Sequence, residues 1–240
     1  MTIPSTASLG FLPRSDGSAS FSQGRTSVIA SVNGPMEVRI RDELPQEAYI
    51  EVIVRPAIGV TGTREKYLES RLLSALKPII LRSNHPRTLI QIVVQVVQSA
   101  GSEDNAITTL LLLAPSLNAA VLALLDAGVP LKSVLSATTV AFLKGSGKLI
   151  VEPELEDLKK AASKHVLAFT SAGLLGFVES EGEFEYEDFE RVVEAGRNVC
   201  SAGREGDDND TKMDTGGQGV GELMRKVVRE KVEKDLRWRA

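Results

Sequence analysis

Two helix-covered sheets, in an α+β or α/β arrangement, are what this sequence predicts. Three observations carry that reading. Short strand-like runs separated by turn residues alternate with amphipathic helical stretches. The alternation occurs twice, in two similar halves with hairpins between. A long apolar helical stretch lies mid-chain between strand runs, and no Arg or Lys occurs between Arg87 and Lys132.

In the first half, Gly17–Gly24 and Thr26–Val32 read as two strands around a turn at Gly24, and Asn33-Gly34-Pro35 punctuates the second. Met36–Ile40 and Tyr49–Arg55 read as a further strand pair, joined by the polar loop Arg41–Gln46. Gly59-Val60-Thr61-Gly62 breaks the pattern. Arg64–Lys77 is helical, because Tyr67, Leu68, Leu72, Ala75 and Leu76 fall on one stripe. Ile79–Leu81 is expected to continue it after a kink at Pro78. Thr88–Val97, rich in Ile and Val and bounded by Pro86 and Gly101, reads as a central strand. Ala106–Ala127 contains Thr108, Thr109, Pro115, Ser116, Asn118 and Asp126. It reads as a buried helix or a kinked helix pair rather than a membrane span, ended by Gly128 and Pro130.

In the second half, Val134–Leu143 and Leu149–Val151 are paired strands around the turn Lys144–Lys148. Glu154–Ala162 is a short helical segment. His165–Thr170 and Leu174–Glu179 are strands joined at Ser171-Ala172-Gly173. Tyr186–Val199 is an amphipathic helix with Phe189, Val192, Val193 and Ala195 inward. The stretch 204–220 has almost nothing to bury and is expected to be a disordered linker. Glu222–Trp238 is a locally basic helix with Arg225, Lys226, Arg229, Lys231, Lys234 and Arg237.

Composition sets limits. The chain has 240 residues, 42% apolar and 25% charged, with a formal net charge of −4. That is enough for a real core, and any nucleic-acid contact needs a local patch rather than bulk charge. A single cysteine, Cys200, cannot form an internal disulfide and fits a reducing compartment. Met1-Thr-Ile-Pro-Ser5 shows no secretory signal pattern. The expected location is nuclear or cytosolic.

Several chemical motifs have ordinary readings. Gly145-Ser-Gly-Lys148 lacks the Gly-Lys-Ser/Thr ending of a phosphate loop and joins two strands. Ser74-x-x-Lys77 lies inside a helix stripe without partner motifs. His85 reads as an exposed loop residue and His165 as a packed or surface histidine. No Cys or His cluster has metal spacing. Glu179–Glu190 holds six glutamates and one aspartate and reads as a solvated acidic edge, with a docking surface for a neighbour as the alternative.

The segments Asp16–Phe21, Gln23–Ala30, Thr63–Glu69, Pro86–Ile92, Leu117–Ala120 and Ala123–Pro130, in this order and spacing, resemble the RNase PH-like subunits of the eukaryotic RNA exosome. The resemblance spans roughly residues 15–203. It implies an α+β RNase PH-like fold (ribosomal protein S5 domain 2-like), with mixed sheets covered by helices. The implied organisation is a flexible N-terminus at 1–14, the domain at 15–203, the linker at 204–220 and a basic C-terminal helix at 221–240. It further implies a hexameric ring of RNase PH-like subunits, S1/KH cap subunits, separate catalytic nucleases, and single-stranded RNA threaded through a channel. No cofactor, no metal and no membrane are expected for this chain, since no Cys or His cluster has metal spacing and the apolar stretch reads as a buried helix.

Active members of that family need an arginine at the start of the apolar helix, where backbone N–H groups and the helix dipole favour an anion. That position falls here on Glu103 or, aligned from the other side, on Leu113. They need basic residues on the first helix, and those positions are Ser70 and Ser74. They need aspartates after a Glu-Asp pair. Glu156-Asp157 matches the pair, but the following positions are Ala161 and Ser163. The expectation is therefore a non-catalytic structural subunit of the exosome core ring, supporting 3′-to-5′ RNA degradation and processing. The alternative is a residual phosphorolytic or metal-dependent exoribonuclease acting as a homodimer. Arg39 and Arg41, flanking the loop that in this family projects toward the channel, are the candidates for RNA phosphate contact. Arg64 is a weaker one. Ordinary surface arginine is the competing reading for each.

Overall fold

The computed structural model describes residues 5–101, 106–143, 147–201 and 219–239. The anticipated linker up to residue 218, most of the turn Lys144–Lys148 and the candidate position Glu103 lie outside the described residues.

The first sheet has the order β1-β2-β3-β5-β4. Strands β2 (Gly17–Gln23) and β3 (Thr26–Glu37) form the expected hairpin, with Gly24 at φ 59 in its turn. The sequence reading expects no element before Gly17. The structure adds β1 (Thr6–Leu9), antiparallel to β2.

Asn33-Gly34-Pro35 does not end the second strand. The chain passes through a cis Gly34–Pro35 peptide and a register shift, and Met36 still pairs with Leu89. The Gly34 N–H leaves the ladder and donates to Asp16 Oδ2 at 2.8 Å. Strand β4 (Tyr49–Arg55) therefore does not pair with Met36–Ile40, which ends in a 3-10 turn at Ile40–Asp42. It runs parallel to β5 (Thr88–Gln98), with Tyr49 opposite Leu89 and Arg55 opposite Gln95. The reason is topological: a helix between two strands of one sheet brings the second back parallel to the first. That helix is α1 (Thr63–Leu76), with Glu65 accepting from the Gly62 N–H and Leu68, Leu72, Ala75 and Leu76 buried. It stops before Pro78 and does not resume. Ile79 and Ile80 instead plug the core, and Ile80 bridges to Leu131.

The apolar stretch is one helix, α2 (Ala106–Asp126), with Pro115 inside it rather than between two helices. Every residue from Leu112 to Leu124 is buried. A helix that is apolar all round must be covered all round, and α2 packs on β2 and β3 of the first sheet and on the second sheet behind it. Although long and apolar enough to cross a membrane, its most apolar window is 89% buried within the fold. Gly17 is the one residue type that fits where β2 crosses its end: a Cβ there would lie 2.3 Å from Ala127 N.

The second sheet is antiparallel, β7-β6-β8-β9. It contains β6 (Leu135–Leu143), β7 (Leu149–Val151), β8 (Ala161–Thr170) and β9 (Leu175–Gly182). The short helix α3 (Leu155–Lys160) leads straight into β8, which starts four residues earlier than expected because Ser163 and Lys164 already pair with both neighbours. One face of this sheet packs on α2. The other is covered by α4 (Tyr186–Ser201) through Val140, Leu167, Phe169, Val192 and Cys200. A buried polar residue joins α2 to the sheet. Asn118 donates to Ala137 C=O at 2.9 Å and accepts its N–H at 2.7 Å, on the stretch of β6 that β7 is too short to reach.

The basic helix α5 (Val220–Asp235) is docked on the domain. Val220, Gly221 and Met224 are buried, it packs on β1, β6 and α4, and Lys231 forms an ion pair with the buried Asp126 at the end of α2.

Candidate functional site

Two regions matter for chemistry: the start of α2 with its surroundings, and the loop around Ile40. Leu113, one of the two positions where the family's arginine could fall, is 1% exposed inside the core. No cation reaches phosphate from there. The cation beside the start of α2 comes from another element: Arg64, second residue of α1, donates from Nε to Thr109 Oγ1 at 3.0 Å. Ser70 and Ser74, where the family carries basic residues, are exposed, and the Ser74 hydroxyl donates back to the Ser70 carbonyl at 2.9 Å.

Between them, Arg71 is spent on a contact that the sequence reading missed. Its Nε lies 3.3 Å from Glu179 Oε2, and its guanidinium stacks 4.9 Å from the centre of the Tyr67 ring. Tyr67 donates its hydroxyl to Glu179 Oε1 at 2.6 Å. Burial, and then the Glu179 carboxylate, raise the Tyr67 hydroxyl above its ordinary pKa. The three residues strap α1 to β9. Tyr67 and Arg71 are i, i+4 neighbours and could have been paired from the sequence. Glu179, over a hundred residues away, gave no such hint.

The acidic motif is divided among structural tasks. Asp157 accepts the Glu154 N–H at 3.3 Å and caps α3. Glu156 is exposed. Ala161 opens β8. Ser163 is fully buried and lies 2.9 Å from His165 Nε2, with Ser180 Oγ 2.8 Å from Nδ1. His165 is fully buried, which decides between the packed and surface readings. Phe184 meets its ring edge-on at 4.8 Å and Phe189 lies at 5.8 Å. Burial pushes its pKa down to about 4, so it is neutral at physiological pH. Cys200 is buried too, its thiol pushed up to about 12 by burial, and is unreactive as a nucleophile. Among the described residues no group of three or more His, Cys, Asp or Glu is placed to hold a metal ion.

Arg39 and Arg41 are brought together around the 3-10 turn Ile40–Asp42, and Arg64 is on a different element. Arg39 is exposed. Arg41 is 74% exposed and 3.1 Å from Asp42 Oδ2. Ile40, between them, is 91% exposed. The loop is pinned at its base by the Arg82–Glu47 ion pair and by Arg87, which lies 3.3 Å from Glu43 and donates its N–H to Leu44 C=O. A pinned base and an exposed basic tip suit contact with a passing phosphate chain.

Known proteins share both sequence and architecture with this chain. Residues 4–130 match the RNase PH profile, described as the 3′ exoribonuclease family, domain 1. The chain is 40% identical over 200 residues to the exosome complex component RRP46 of Saccharomyces cerevisiae, covering 81% of this chain and 89% of that protein. It is 38% identical over 191 residues to the exosome complex component rrp46 of Schizosaccharomyces pombe, covering 78% and 80%. The crystal structure of rice (Oryza sativa) Rrp46 superposes with a TM-score of 0.76 at 28% identity, over 95% of this chain and 96% of that one.

Proposed function

From the premise that the chain belongs to the RNase PH (3′ exoribonuclease) family, we propose that it is a structural, non-catalytic subunit of the RNA exosome core ring. The observation that carries this is the likeness to exosome components along nearly their whole length. Its work is to complete a ring of RNase PH-like subunits beneath S1/KH caps, and to shape the channel through which single-stranded RNA reaches separate nucleases, in the nucleus, nucleolus and cytoplasm. The six-membered ring requires two different contact faces on each subunit.

That the subunit does not itself cleave RNA is supported by its chemistry. The apolar helix brings no cation of its own, Ser70 and Ser74 replace basic residues, Arg71 is held by Glu179, and Asp157 caps a helix. Removing one such group from an active site typically costs orders of magnitude in rate.

Two measurements test this. The native assembly recovered with this chain as bait should be one stoichiometric particle of about nine or ten different subunits, as a closed ring with caps requires. Recovery as a homodimer overturns the reading. The purified chain incubated with RNA and inorganic phosphate should release no nucleoside diphosphate. Release would revive the phosphorolytic alternative, with Arg64 of α1, which bonds Thr109 in the first turn of α2, as the first residue to replace.

A further inference from the structure

The outer edges of the two sheets are not equally protected. Strands β1 and β7 are only four and three residues long. On β4 the Val54 N–H is received by Glu69 Oε1 at 3.1 Å. Short edges and side-chain cover are usual ways to keep a sheet from pairing further. Strand β9 has neither. It pairs with β8 without interruption from Phe177 to Gly182, and no strand lies on its other side among the described residues. The Glu183 N–H donates to Ala162 C=O at 3.3 Å, which sets the hydrogen-bonding phase of the pair. Phe177, Glu179 and Glu181 therefore turn their backbone groups toward β8. Val178 and Ser180 turn theirs outward, where no backbone partner meets them among the described residues. Glutamate stands at every second position here, as Glu179, Glu181, Glu183 and Glu185. Glu179 is held by Tyr67 and Arg71, and the other three are exposed. Large apolar side chains are exposed at both ends of the edge. Leu174, 67% exposed, and Leu175 precede it, and Phe184 and Tyr186, the latter 79% exposed, follow it.

An open edge takes an extended segment as an added strand, with main-chain hydrogen bonds supplying affinity and side chains supplying selection. The charges decide which segment. A second copy of this edge would bring glutamates opposite glutamates, and like charges directly opposite are destabilising. RNA phosphate is repelled by the same carboxylates. A segment with Lys or Arg at alternate positions meets them with opposite charge. A merely solvated acidic edge would account for the glutamates, but not for pairs of large apolar side chains left exposed at both of its ends. We propose that the outer edge of β9 docks an extended, basic segment of a partner protein. The segment pairs with the backbone of Val178 and Ser180 and sets Lys or Arg beside Glu181 and the glutamates that follow. Its apolar side chains lie on Leu174 and Leu175 at one end and on Phe184 and Tyr186 at the other. This recognition belongs to the chain itself and goes beyond ring membership.

The test is titration of the full chain with a short synthetic peptide alternating lysine with valine, followed by amide NMR. Binding should be saturable, with the Val178 and Ser180 amides among the most shifted. The same peptide N-methylated at the amides that face β9 keeps its charge and loses the strand pairing. It should bind about tenfold more weakly. Glu181→Lys, at an exposed position, turns an attraction into a repulsion and should weaken the parent peptide about tenfold. The spectrum of that variant shows whether it is folded. No saturable binding overturns the proposal. Equal binding of the N-methylated peptide also overturns it, because charge alone would then explain the contact, and so does indifference to Glu181→Lys. Each of these failures leaves the particle composition untouched, whereas recovery of the chain outside an exosome particle would overturn the ring reading and leave this edge standing.

Discussion

The two ends of α2 carry the charges that helix electrostatics disfavours. A helix start attracts anions and a helix end attracts cations, yet Arg64 sits at the start and Asp126 at the end. In both places the charge serves as a tether. Asp126 accepts the Ser18 N–H at 2.8 Å and pairs with Lys231, so it fastens β2 and α5 to α2. Arg64 fastens α1 to α2, and Arg71 and Tyr67 fasten α1 to β9 through Glu179. The loop at Ile40–Asp42 is the contrast: its arginines point to solvent from a pinned base. Charges around the buried helix hold the fold, and the arginines on the loop are exposed to solvent.

The harshest way to break that comparison is to put the family's cation back. Leu113→Arg places a charge at a position 1% exposed, with no partner and no route to water. The cost of burying an unpaired charge exceeds about 5 kcal/mol, on the order of the whole stability of a domain. The variant should fail to give a cooperative thermal transition by circular dichroism. A stable, folded Leu113→Arg protein would show that this turn of α2 is open to a phosphate-binding residue after all.

Next in size is the tether at the other end. Lys231→Met strands the buried Asp126 and should lower stability by about 4 kcal/mol, within the range for breaking one side of a buried pair. The double variant Lys231→Met, Asp126→Asn should recover most of the loss, which a denaturant double-mutant cycle reads directly. If the single variant is as stable as the parent, α5 is not held by this pair.

His165 supplies a buried polar group that is a tether only while neutral. Its folded pKa is about 4 against 6.5 for the free side chain. Between those values the unfolded chain binds more protons than the folded one, so stability falls as pH drops from about 6.5 to about 4 and does not fall further from this group below that. The total is about 3 kcal/mol. Subtracting the profile of His165→Phe from that of the parent isolates it, since the carboxylates are common to both. A flat difference across this window would place the ring in contact with water.

How much of this was legible beforehand follows from what each feature depends on. Helix α1 and the burial of α2 came from side-chain periodicity, which is local. The parallel pairing of β4 was missed because Met36–Ile40 looks strand-like in isolation, and only the α1 crossover decides which strand β4 meets. The strand through Gly34–Pro35 was missed because the Asp16 carboxylate, on another segment, satisfies the N–H that leaves the ladder. At the candidate site, the absence of a cation in α2 was readable from residue types alone. The Tyr67–Arg71–Glu179 strap and the cap made by Asp157 were not, because each joins residues whose meeting depends on local geometry or on the packing of the two sheets.

The smallest effect tests the other side of the comparison. For single-stranded RNA, each phosphate neutralised contributes about −0.7 to the slope of log K against log salt. The two loop arginines do not contribute equally. Arg41 already lies beside the Asp42 carboxylate, so meeting a phosphate means leaving or sharing that partner. Arg39, at the other side of the exposed Ile40, forms no ion pair among the described residues. Arg39→Ala should therefore make the slope shallower by about 0.7 in the assembled particle, and weaken RNA binding by about 1 kcal/mol at low salt. Arg41→Ala should change both by less. Asp42→Ala, which frees Arg41, should strengthen binding and steepen the slope. That reversed sign distinguishes direct phosphate contact from a general loss of loop structure, because a damaged loop would weaken binding in all three variants. Slopes identical to the parent in all three would mean that RNA passes without touching this loop, and that its arginines are ordinary surface charge.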